Sequence, residues 1–386
     1  MNEILENYIN KQIYEIPSIL SRNLTSNEGI KYNKRDDYFK IKNRIDAFLE
    51  QGADERLLIL PGLRGVGKTT LLFQCYEYLF KCKNVHFKDL LYVSCDLINR
   101  IEKVDIIKII ETYVEQVHNT SLALLDHPIF IFIDEAHYDE NWALNAKIVY
   151  DQSPYIFMII TGSSSLHLNY NADAARCLKI HNVLPLNYEQ HLKLKYDYHT
   201  NISEDIRDML FTGNITNAKE KERNIMNDLL TNDDYSQNDW DNYFKYGSFT
   251  STLNKRSPAD VTSELWSIIS KIISNDISNI FSLNENSREL TYRLLVFLAS
   301  QKPGEISQSK IAASLNISSS KVNSIFHILE KTQLVFHYEA YGGSSKRVKK
   351  SWEYYIATSS LKNSINEEFG INTVNKKEYE EILLKT

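Results

Sequence analysis

The sequence predicts an α/β fold: a parallel sheet with helices, then a helical region, then a small domain of helices and a hairpin. Short apolar runs recur along the first half of the chain, and amphipathic helical patterns separate them. Apolar runs without polar alternation are typical of strands covered on both faces, as in a parallel sheet with crossover helices. After about residue 190 the sequence becomes acidic and rich in asparagine, which predicts a domain junction there.

The elements of the sheet domain can be read in order along the chain. A polar arm (1–35) precedes a helical pattern that ends at Gly52, since glycine commonly follows the last turn of a helix. Five apolar runs predict five strands, at 56–62, 90–96, 129–135, 155–164 and 176–186. We expect the fifth strand to complete the sheet.

Composition limits the class of protein. The chain has 386 residues, of which 43% are hydrophobic and 24% charged, as in an ordinary globular protein of two or three domains. The net charge of -6 argues against a chain that is basic overall but leaves room for a local basic patch. The four cysteines form no C-x-x-C pair, so neither a cysteine zinc site nor a disulfide scaffold is expected. The first residues lack an export signal and no apolar run could span a bilayer, which predicts a cytoplasmic protein without a membrane partner.

A glycine-rich segment follows the first strand. Gly62-x-x-x-x-Gly67-Lys68-Thr69 fits the spacing G-x-x-x-x-G-K-[ST], between an apolar strand and a helix. Glycines let such a loop fold around a polyphosphate, with backbone N–H groups and the positive helix end facing it. We expect Lys68 to reach the β- and γ-phosphates and the Thr69 hydroxyl to bind Mg²⁺. The predicted ATP-binding residues are Gly62, Leu63, Arg64, Gly65, Val66, Gly67, Lys68, Thr69 and Thr70.

Two carboxylates close the third predicted strand, Asp134 and Glu135. In open α/β sheets, ligands bind at the carboxyl ends of the strands. We expect Asp134 to hold Mg²⁺ through its water shell and Glu135 to polarise a water for attack on the γ-phosphorus. A glutamate at this place favours an ATP hydrolase over a small-molecule kinase.

Five segments in this order resemble the AAA-like P-loop ATPases known as archaeal-type ATPases, relatives of the signal-transducing STAND class. The segments are GLRGVGKTT, IFIDEAH, IITGSSSLHL, AARCLKIHNVLPLNYEQHL and KYGSF. The specific motifs lie within 36–200, and a weaker likeness continues to about residue 360. The resemblance implies a P-loop NTPase sheet of the ASCE/AAA-like type, with the sensor strand between the two strands that carry the phosphate loop and the acid pair.

The resemblance also implies roles beyond the fourth strand. Thr161 and Ser163 match the polar sensor of the γ-phosphate, with a simple strand-to-loop turn as the alternative. Arg176 matches the arginine of a Gly-Arg pair, although Ala175 stands here in place of the glycine. Two interpretations are open: a role in phosphate sensing or at a subunit interface, and a plain surface ion pair. Tyr246–Phe249 resembles the family's GGFP turn, and we assign it no chemistry.

Two further residues, His137 and Arg64, each have two possible interpretations. His137 follows the acid pair, and a loop-capping or solvent-facing histidine is favoured over a contact with nucleotide or neighbour. Arg64 either touches a phosphate or points to solvent.

The last hundred residues predict a winged helix. Apolar residues between 308 and 334 have helix-turn-helix spacing with Ser318 as a helix cap, and the sequence around Gly342-Gly343 alternates as a β-hairpin does. Residues 287–362 carry eleven basic residues against five Glu, a net charge of +6, which favours a duplex-DNA contact. A lid or subunit contact remains equally open, because the predicted groove-facing residues are not rich in arginine; they are Ser319, Ser320, Asn323 and His327.

These expectations combine into one functional hypothesis. The chain divides into an N-terminal arm, an ATPase domain, a helical lid or linker, a winged helix and a tail, at 1–35, 36–190, 191–285, 286–362 and 363–386. We expect an ATP-binding, ATP-hydrolysing, Mg²⁺-dependent switch that couples nucleotide state to DNA or to a partner effector protein, with oligomerisation left open. Many relatives continue into a nuclease-like module, whereas this sequence shows no D…E-x-K set, so we expect a partner to supply the effector chemistry. The alternative is a nucleotide-gated DNA-binding regulator or scaffold with little turnover.

Overall fold

The computed structural model describes residues 2–26, 28–52, 54–163, 176–255, 257–277, 285–301, 308–339, 342–343 and 352–371. It divides into two compact units. The first unit comprises Met1–Gly62 and Gly67–Leu184, and the second comprises Leu63–Val66 and Pro185–Thr386. Within the described part of the chain, no helix is long and apolar enough to cross a membrane.

The first unit is built on a five-stranded parallel sheet in the order β2-β3-β4-β1-β5. The strands are β1 (Leu57–Pro61), β2 (Leu90–Ser94), β3 (Ile129–Asp134), β4 (Ile156–Gly162) and β5 (Lys179–Ile180). Every residue of β1, β3 and β4 is buried, as expected for strands covered on both faces. The predicted P-loop NTPase sheet is confirmed, and β4 lies between β1 and β3, where the resemblance places the sensor strand.

Six α-helices belong to the described part of the first unit. They are α1 (Asn2–Leu24), α2 (Asp36–Gln51), α3 (Lys68–Glu77), α4 (Cys95–Ile101), α5 (Ile106–His118) and α6 (Trp142–Gln152). Helix α2 ends as predicted at Gly52, whose φ of 62° is in the left-handed region that glycine adopts readily. Helix α1 occupies the stretch described above as a polar arm, and its apolar side chains enter the same core as the sheet; among them are Leu5, Tyr8, Ile9 and Ile13.

A buried ion network anchors the start of α2. Arg35 Nε donates to Asp37 Oδ2 at 2.8 Å, and His181 Nε2 lies 2.7 Å from Asp37 Oδ1. Burial alone would raise the pKa of Asp37, but the contacts with His181 and Arg35 hold that pKa below its usual value. Arg35 Nη2 also donates to the carbonyl of Leu184 at 2.9 Å. The network therefore joins the segment before α2 to the segment after β5.

The second unit is mainly helical in its described residues. Its helices are α7 (Tyr188–Tyr196), α8 (Ile202–Thr212), α9 (Ile215–Leu230), α10 (Asp239–Tyr246), α11 (Pro258–Lys271), α12 (Glu285–Ser300), α13 (Gln308–Leu315), α14 (Ser319–Lys331) and α15 (Ser359–Glu368). Helix α15 contacts α10 and α11, and every residue from Ser359 to Asn366 is buried. This late segment of the chain therefore lies in the core of the second unit.

The region predicted as a winged helix has three helices followed by two strands. Ser318 caps α14 as expected, since its hydroxyl accepts the N–H of Lys321 at 3.2 Å. Strands β6 (Val335–Tyr338) and β7 (Glu353–Ile356) pair antiparallel. The four cations of the expected wing, Lys346, Arg347, Lys349 and Lys350, lie outside the described residues. The element order agrees with the prediction, and the winged helix itself stays a prediction.

A fully buried carboxylate, Asp239, organises the start of α10. It accepts hydrogen bonds from Lys195 Nζ at 2.6 Å and from the Tyr196 hydroxyl, and His191 Nε2 lies 3.2 Å from Oδ2. Burial alone would raise the pKa of Asp239, yet contacts with His191, Lys195 and Tyr196 lower it to about 2. The network therefore ties α7 to α10.

Replacing this carboxylate should destabilise the second unit. We expect Asp239→Asn to lower the free energy of unfolding by about 2–3 kcal/mol at neutral pH, because the amide leaves Lys195 without a counter-charge. Since the pKa of Asp239 is lower in the folded state, its contribution is complete above about pH 4 and is lost as the pH falls towards 2. Urea unfolding from pH 7 down to pH 2 measures both effects, and Asp233→Asn, at an exposed position, is the control. Equal stability of Asp239→Asn and wild type at neutral pH would contradict the prediction.

Candidate functional site

The carboxyl ends of three neighbouring strands place the predicted site residues together. In the register of the sheet, Leu60 pairs with Thr161 and Pro61 with Gly162, so β1 and β4 end side by side. Strand β3 ends at Asp134 on the other side of β4. Because all the strands are parallel, the segments that follow them start at one edge of the sheet, the edge at which open α/β sheets bind ligands.

The part of the glycine-rich loop in the first unit leads directly into α3. Gly67 precedes the helix with a φ of 95°, a left-handed conformation that other residues rarely adopt. Lys68 begins the helix, and its side chain is buried (5% exposed) with Nζ donating to the carbonyl of Gly62 at 2.9 Å. Thr69 and Thr70 follow in the first turn and are half-buried. A buried ammonium and the amino end of a helix therefore lie at the same edge of the sheet.

Asp134 is the centre of the site in the first unit. Its Oδ2 accepts from the Thr69 hydroxyl at 2.8 Å and from the Tyr92 hydroxyl at 3.2 Å, and its Oδ1 accepts from the Thr161 hydroxyl. Burial and the neighbouring charge of Glu135 raise the pKa of Asp134, while the hydroxyls of Thr161 and Thr69 and the Lys68 ammonium oppose that rise. A cation near these oxygens would favour the ionised carboxylate. The site has the chemistry of a hard-cation ligand set.

Glu135 leaves the end of β3 in an unusual backbone conformation. Its φ of 56° is left-handed, and its N–H donates to the Thr161 hydroxyl at 3.2 Å. Thr161 therefore bonds both acids, to the carboxylate of Asp134 and to the main chain of Glu135. This double contact turns the Glu135 side chain away from the direction that a continued strand would give it.

His137 lies against Glu135. Its side chain is 9% exposed, with Nδ1 3.2 Å from Glu135 Oε2 and 3.3 Å from the N–H of Ser163. An unprotonated Nδ1 accepts from Ser163, and a protonated Nδ1 pairs with Glu135. The interpretation that the sequence favours is a loop-capping or solvent-facing histidine, and these contacts agree with its loop-capping form and not with a solvent-facing ring.

Gly62 meets a packing constraint at the start of the loop. The Val183 N–H donates to the carbonyl of Pro61 at 2.9 Å, and a Cβ on Gly62 would lie 2.3 Å from the carbonyl oxygen of Val183. This contact with main-chain atoms is too short for any side chain. The sequence motif assigns Gly62 to phosphate binding, and only the fold reveals that the sheet edge needs a glycine there as well.

Residues 63–66 of the loop belong to the second unit. There the carbonyl of Gly65 accepts from the Thr250 hydroxyl at 2.9 Å and from the Ser251 N–H at 3.1 Å. Gly65 has a φ of 79°, and a Cβ on it would lie 2.7 Å from Ile268 Cδ1. Leu63 and Val66 are buried, and Arg64 is half-buried. Sequence reasoning missed Thr250 and Ser251, whose only signal was their place after the Tyr246–Phe249 segment.

Arg176 has no direct bond to the other predicted catalytic residues among the described residues. It is exposed and follows residues 164–175, which lie outside the described part of the chain. No hydrogen bond or ion pair between described residues joins Arg176 to Lys68, Asp134, Glu135 or Thr161. Those four share the edge of the sheet, and the role of Arg176 stays a prediction.

One family match covers this sheet and loop. Residues 54–192 match the family described as AAA domain. This segment has the P-loop NTPase fold and is similar to AAA domains. Residues 237–375 match a second family, described only as a domain of unknown function.

One curated relative matches nearly the whole chain. It is an uncharacterized protein of Methanocaldococcus jannaschii, 28% identical over 367 residues, which cover 95% of this chain and 73% of that protein. Among solved structures, the Aeropyrum pernix ORC1 protein in complex with DNA is 13% identical with a TM-score of 0.33, covering 87% of this chain and 93% of that chain. A single-residue variant of RuvB from Thermotoga maritima is 12% identical with a TM-score of 0.34, covering 89% of this chain and 97% of that chain.

The packing role of Gly62 gives a test that needs no nucleotide. We expect Gly62→Ala to lower the free energy of unfolding of the AAA-like domain by about 1–3 kcal/mol, because the added Cβ must push the main chain at Val183. Urea unfolding without ATP measures the change. Gly343→Ala, where nothing lies within 4 Å of the added carbon, is the matched control. If Gly62→Ala is as stable as wild type, the sheet edge does not need that glycine.

Proposed function

We propose that this protein is an ATP-hydrolysing molecular switch, in which the nucleotide state controls binding of duplex DNA or of a partner effector protein. The observation that carries the proposal is the arrangement around Asp134. Hydroxyls from Thr69 and Thr161 donate to its two oxygens, and Glu135 follows it directly. Hydrolysis of a nucleotide needs a cation site beside a carboxylate base, and this arrangement offers both.

The residues of the site fit ATP with Mg²⁺. When bound, Mg²⁺ would neutralise phosphate charge. Thr69 and Asp134 would hold it, Thr69 through its hydroxyl and Asp134 through the ion's water shell. Lys68 Nζ, which donates to Gly62 in this structure, would bind the β- and γ-phosphates instead. Backbone N–H groups from Gly62 to Thr70 would donate to the phosphates at the amino end of α3.

Glu135 would act as the general base. A carboxylate held next to the bound phosphates can accept a proton from the attacking water. Thr161 would position this base through the main-chain contact at 3.2 Å and would sense the γ-phosphate, together with Ser163. Arg176, which is exposed, would stabilise the developing charge in its own subunit or across a subunit interface.

The contacts of Gly65 support coupling between the nucleotide and the second unit. Phosphate binding aligns the main chain of the loop, and the Gly65 carbonyl accepts two hydrogen bonds from Thr250 and Ser251. A change in the loop backbone therefore alters the bonds of a turn that connects α10 to α11. A ligand shifts an equilibrium only through such differential contacts.

A second candidate, a nucleotide-gated regulator with little turnover, is favoured by one contact. His137 Nδ1 lies 3.2 Å from Glu135 Oε2, so a protonated His137 would occupy the carboxylate that the hydrolase needs as a base. In that case ATP would bind and switch the protein without rapid cleavage.

Turnover separates the two candidates and tests the assigned residues. Lys68→Ala should abolish ATP binding because the polyphosphate loses its cation, whereas Glu135→Gln should retain binding and lose at least about a hundredfold in hydrolysis. Arg176→Ala should slow hydrolysis while ATP still binds. Binding is measured with a fluorescent ATP analogue and hydrolysis by phosphate release.

Glu140→Gln is the control for these variants, because Glu140 is an exposed acid (85%) a few residues after Glu135. Wild-type turnover in Glu135→Gln would exclude Glu135 as the base. Tight ATP binding by wild type without measurable turnover, with and without DNA, would favour the regulator.

DNA binding should depend on charge more than on base sequence. The exposed face of α14 presents short polar side chains, which give few bidentate base contacts; it includes Ser319, Ser320 and Asn323. We expect affinity for random duplex DNA to fall steeply with salt, with a slope of log K against log salt of about -0.9 per phosphate neutralised. Replacing Lys346, Arg347, Lys349 and Lys350 with Ala should flatten that slope in fluorescence-anisotropy titrations at two salt concentrations.

A second fourfold variant controls for the loss of charge alone. It replaces four exposed cations of the first unit, Lys11, Lys81, Arg100 and Lys103, and should leave the slope unchanged. If wild type does not bind DNA at low salt with or without ATP, the C-terminal region contacts a protein partner and the switch acts through it.

A further inference from the structure

Three metal-ligating side chains meet at the amino edge of the sheet, opposite the edge that carries Asp134. Asp89 directly precedes β2, His127 lies two residues before β3, and His118 is the last residue of α5. Their ligand atoms all lie within 4.8 Å of one another. The nucleotide site uses none of the three.

The distances between the ligand atoms fit a tetrahedral ion. His118 Nδ1 and His127 Nε2 are 3.3 Å apart, and Asp89 Oδ1 lies 3.6 Å from His127 Nε2 and 3.9 Å from His118 Nδ1. Zinc binds imidazole nitrogen and carboxylate oxygen at about 2.0–2.2 Å, so two ligand atoms of a tetrahedral site lie roughly 3.3–3.6 Å apart. Small side-chain movements would bring all three onto one ion.

Asp126 contacts the outer nitrogen of His127. Its Oδ1 lies 2.9 Å from His127 Nδ1, while Nε2 on the other side of the ring faces His118 and Asp89. A carboxylate on the outer nitrogen of a histidine is the arrangement that orients metal-binding imidazoles.

His118 is held in place at the end of α5. Its side chain is 6% exposed, and its Nδ1 faces both His127 Nε2 and Asp89 Oδ1.

We propose that Asp89, His118 and His127 bind a divalent transition-metal ion, preferentially Zn²⁺. Two imidazoles with one carboxylate form a donor set that zinc accepts and that Mg²⁺, which prefers oxygen, does not. The side chain of His127 is 42% exposed, so the ion has a path of entry and water can be the fourth ligand. The bound ion would tie the end of α5 to the starts of β2 and β3.

Metal titration of the full chain tests the proposal. The protein is treated with a chelator, kept free of nucleotide, and titrated with Zn²⁺ in competition with a chromophoric chelator. A Cys82→Ser background removes an exposed thiol that could bind zinc by itself. We expect one ion per chain and, with Co²⁺ in place of Zn²⁺, the intense visible absorption of tetrahedral coordination.

Variants locate the ion. Loss of a residue that only hydrogen-bonds a metal ligand typically weakens metal binding by roughly 10- to 100-fold. We expect Asp126→Asn to weaken Zn²⁺ binding within that range. His127→Ala and Asp89→Asn each remove a ligand and should weaken it by more. His199→Ala, an exposed histidine of the second unit, should bind like the parent. The side chain of His127 is 42% exposed, so we expect its variant to fold, which circular dichroism verifies.

Three results would overturn the proposal: no Zn²⁺ bound by the parent protein, Zn²⁺ affinity unchanged in both His127→Ala and Asp89→Asn, or a Co²⁺ spectrum without tetrahedral bands. Any of them would leave the three residues as a hydrogen-bonded cluster.

Discussion

The carboxylate of Asp134 is the contact on which the site depends. It is buried at the end of β3. Burying its negative charge is energetically unfavourable unless hydrogen-bond donors surround it. Thr69 from the helix after β1, Tyr92 from β2 and Thr161 from β4 supply those donors, so one side chain joins the ends of four neighbouring strands. The left-handed turn at Glu135 is held by the same Thr161 hydroxyl. The fold itself therefore brings these side chains together.

Much of the sheet domain can be predicted because its signals are local. Continuous apolar runs mark all the strands, and the G-x-x-x-x-G-K-[ST] spacing and the Asp134-Glu135 pair mark which strand ends matter. What cannot be predicted depends on contacts between distant residues. The approach of Val183 to Gly62, the hydrogen bonds from Thr250 to Gly65, and the burial of His137 beside Glu135 leave no trace in periodicity or spacing. The sequence of α1 predicts only a polar arm, because many polar residues lie between the apolar residues of its buried face.

The two edges of the sheet have different chemistry. The carboxyl edge carries hydroxyls, two acids and an ammonium, a set suited to phosphates and a hard cation. The amino edge of β2 and β3 carries two imidazoles and one carboxylate, a set suited to softer ions. The same two strands run between both groups, and their buried apolar residues keep the two sets of polar side chains apart.

The division of the chain has a consequence for its synthesis. Four residues near the start of the AAA-like domain, Leu63–Val66, are grouped with the second unit, whose core contains helix α15 near residue 360. During translation the sheet and its acids can form while the ribosome is still far from that helix. The contacts of the outer part of the glycine-rich loop form only once Thr250 and Ser251 have been made. The two helices that flank their turn, α10 and α11, both contact α15. In a nascent chain the loop therefore gains these contacts only after a further 185 residues have been added.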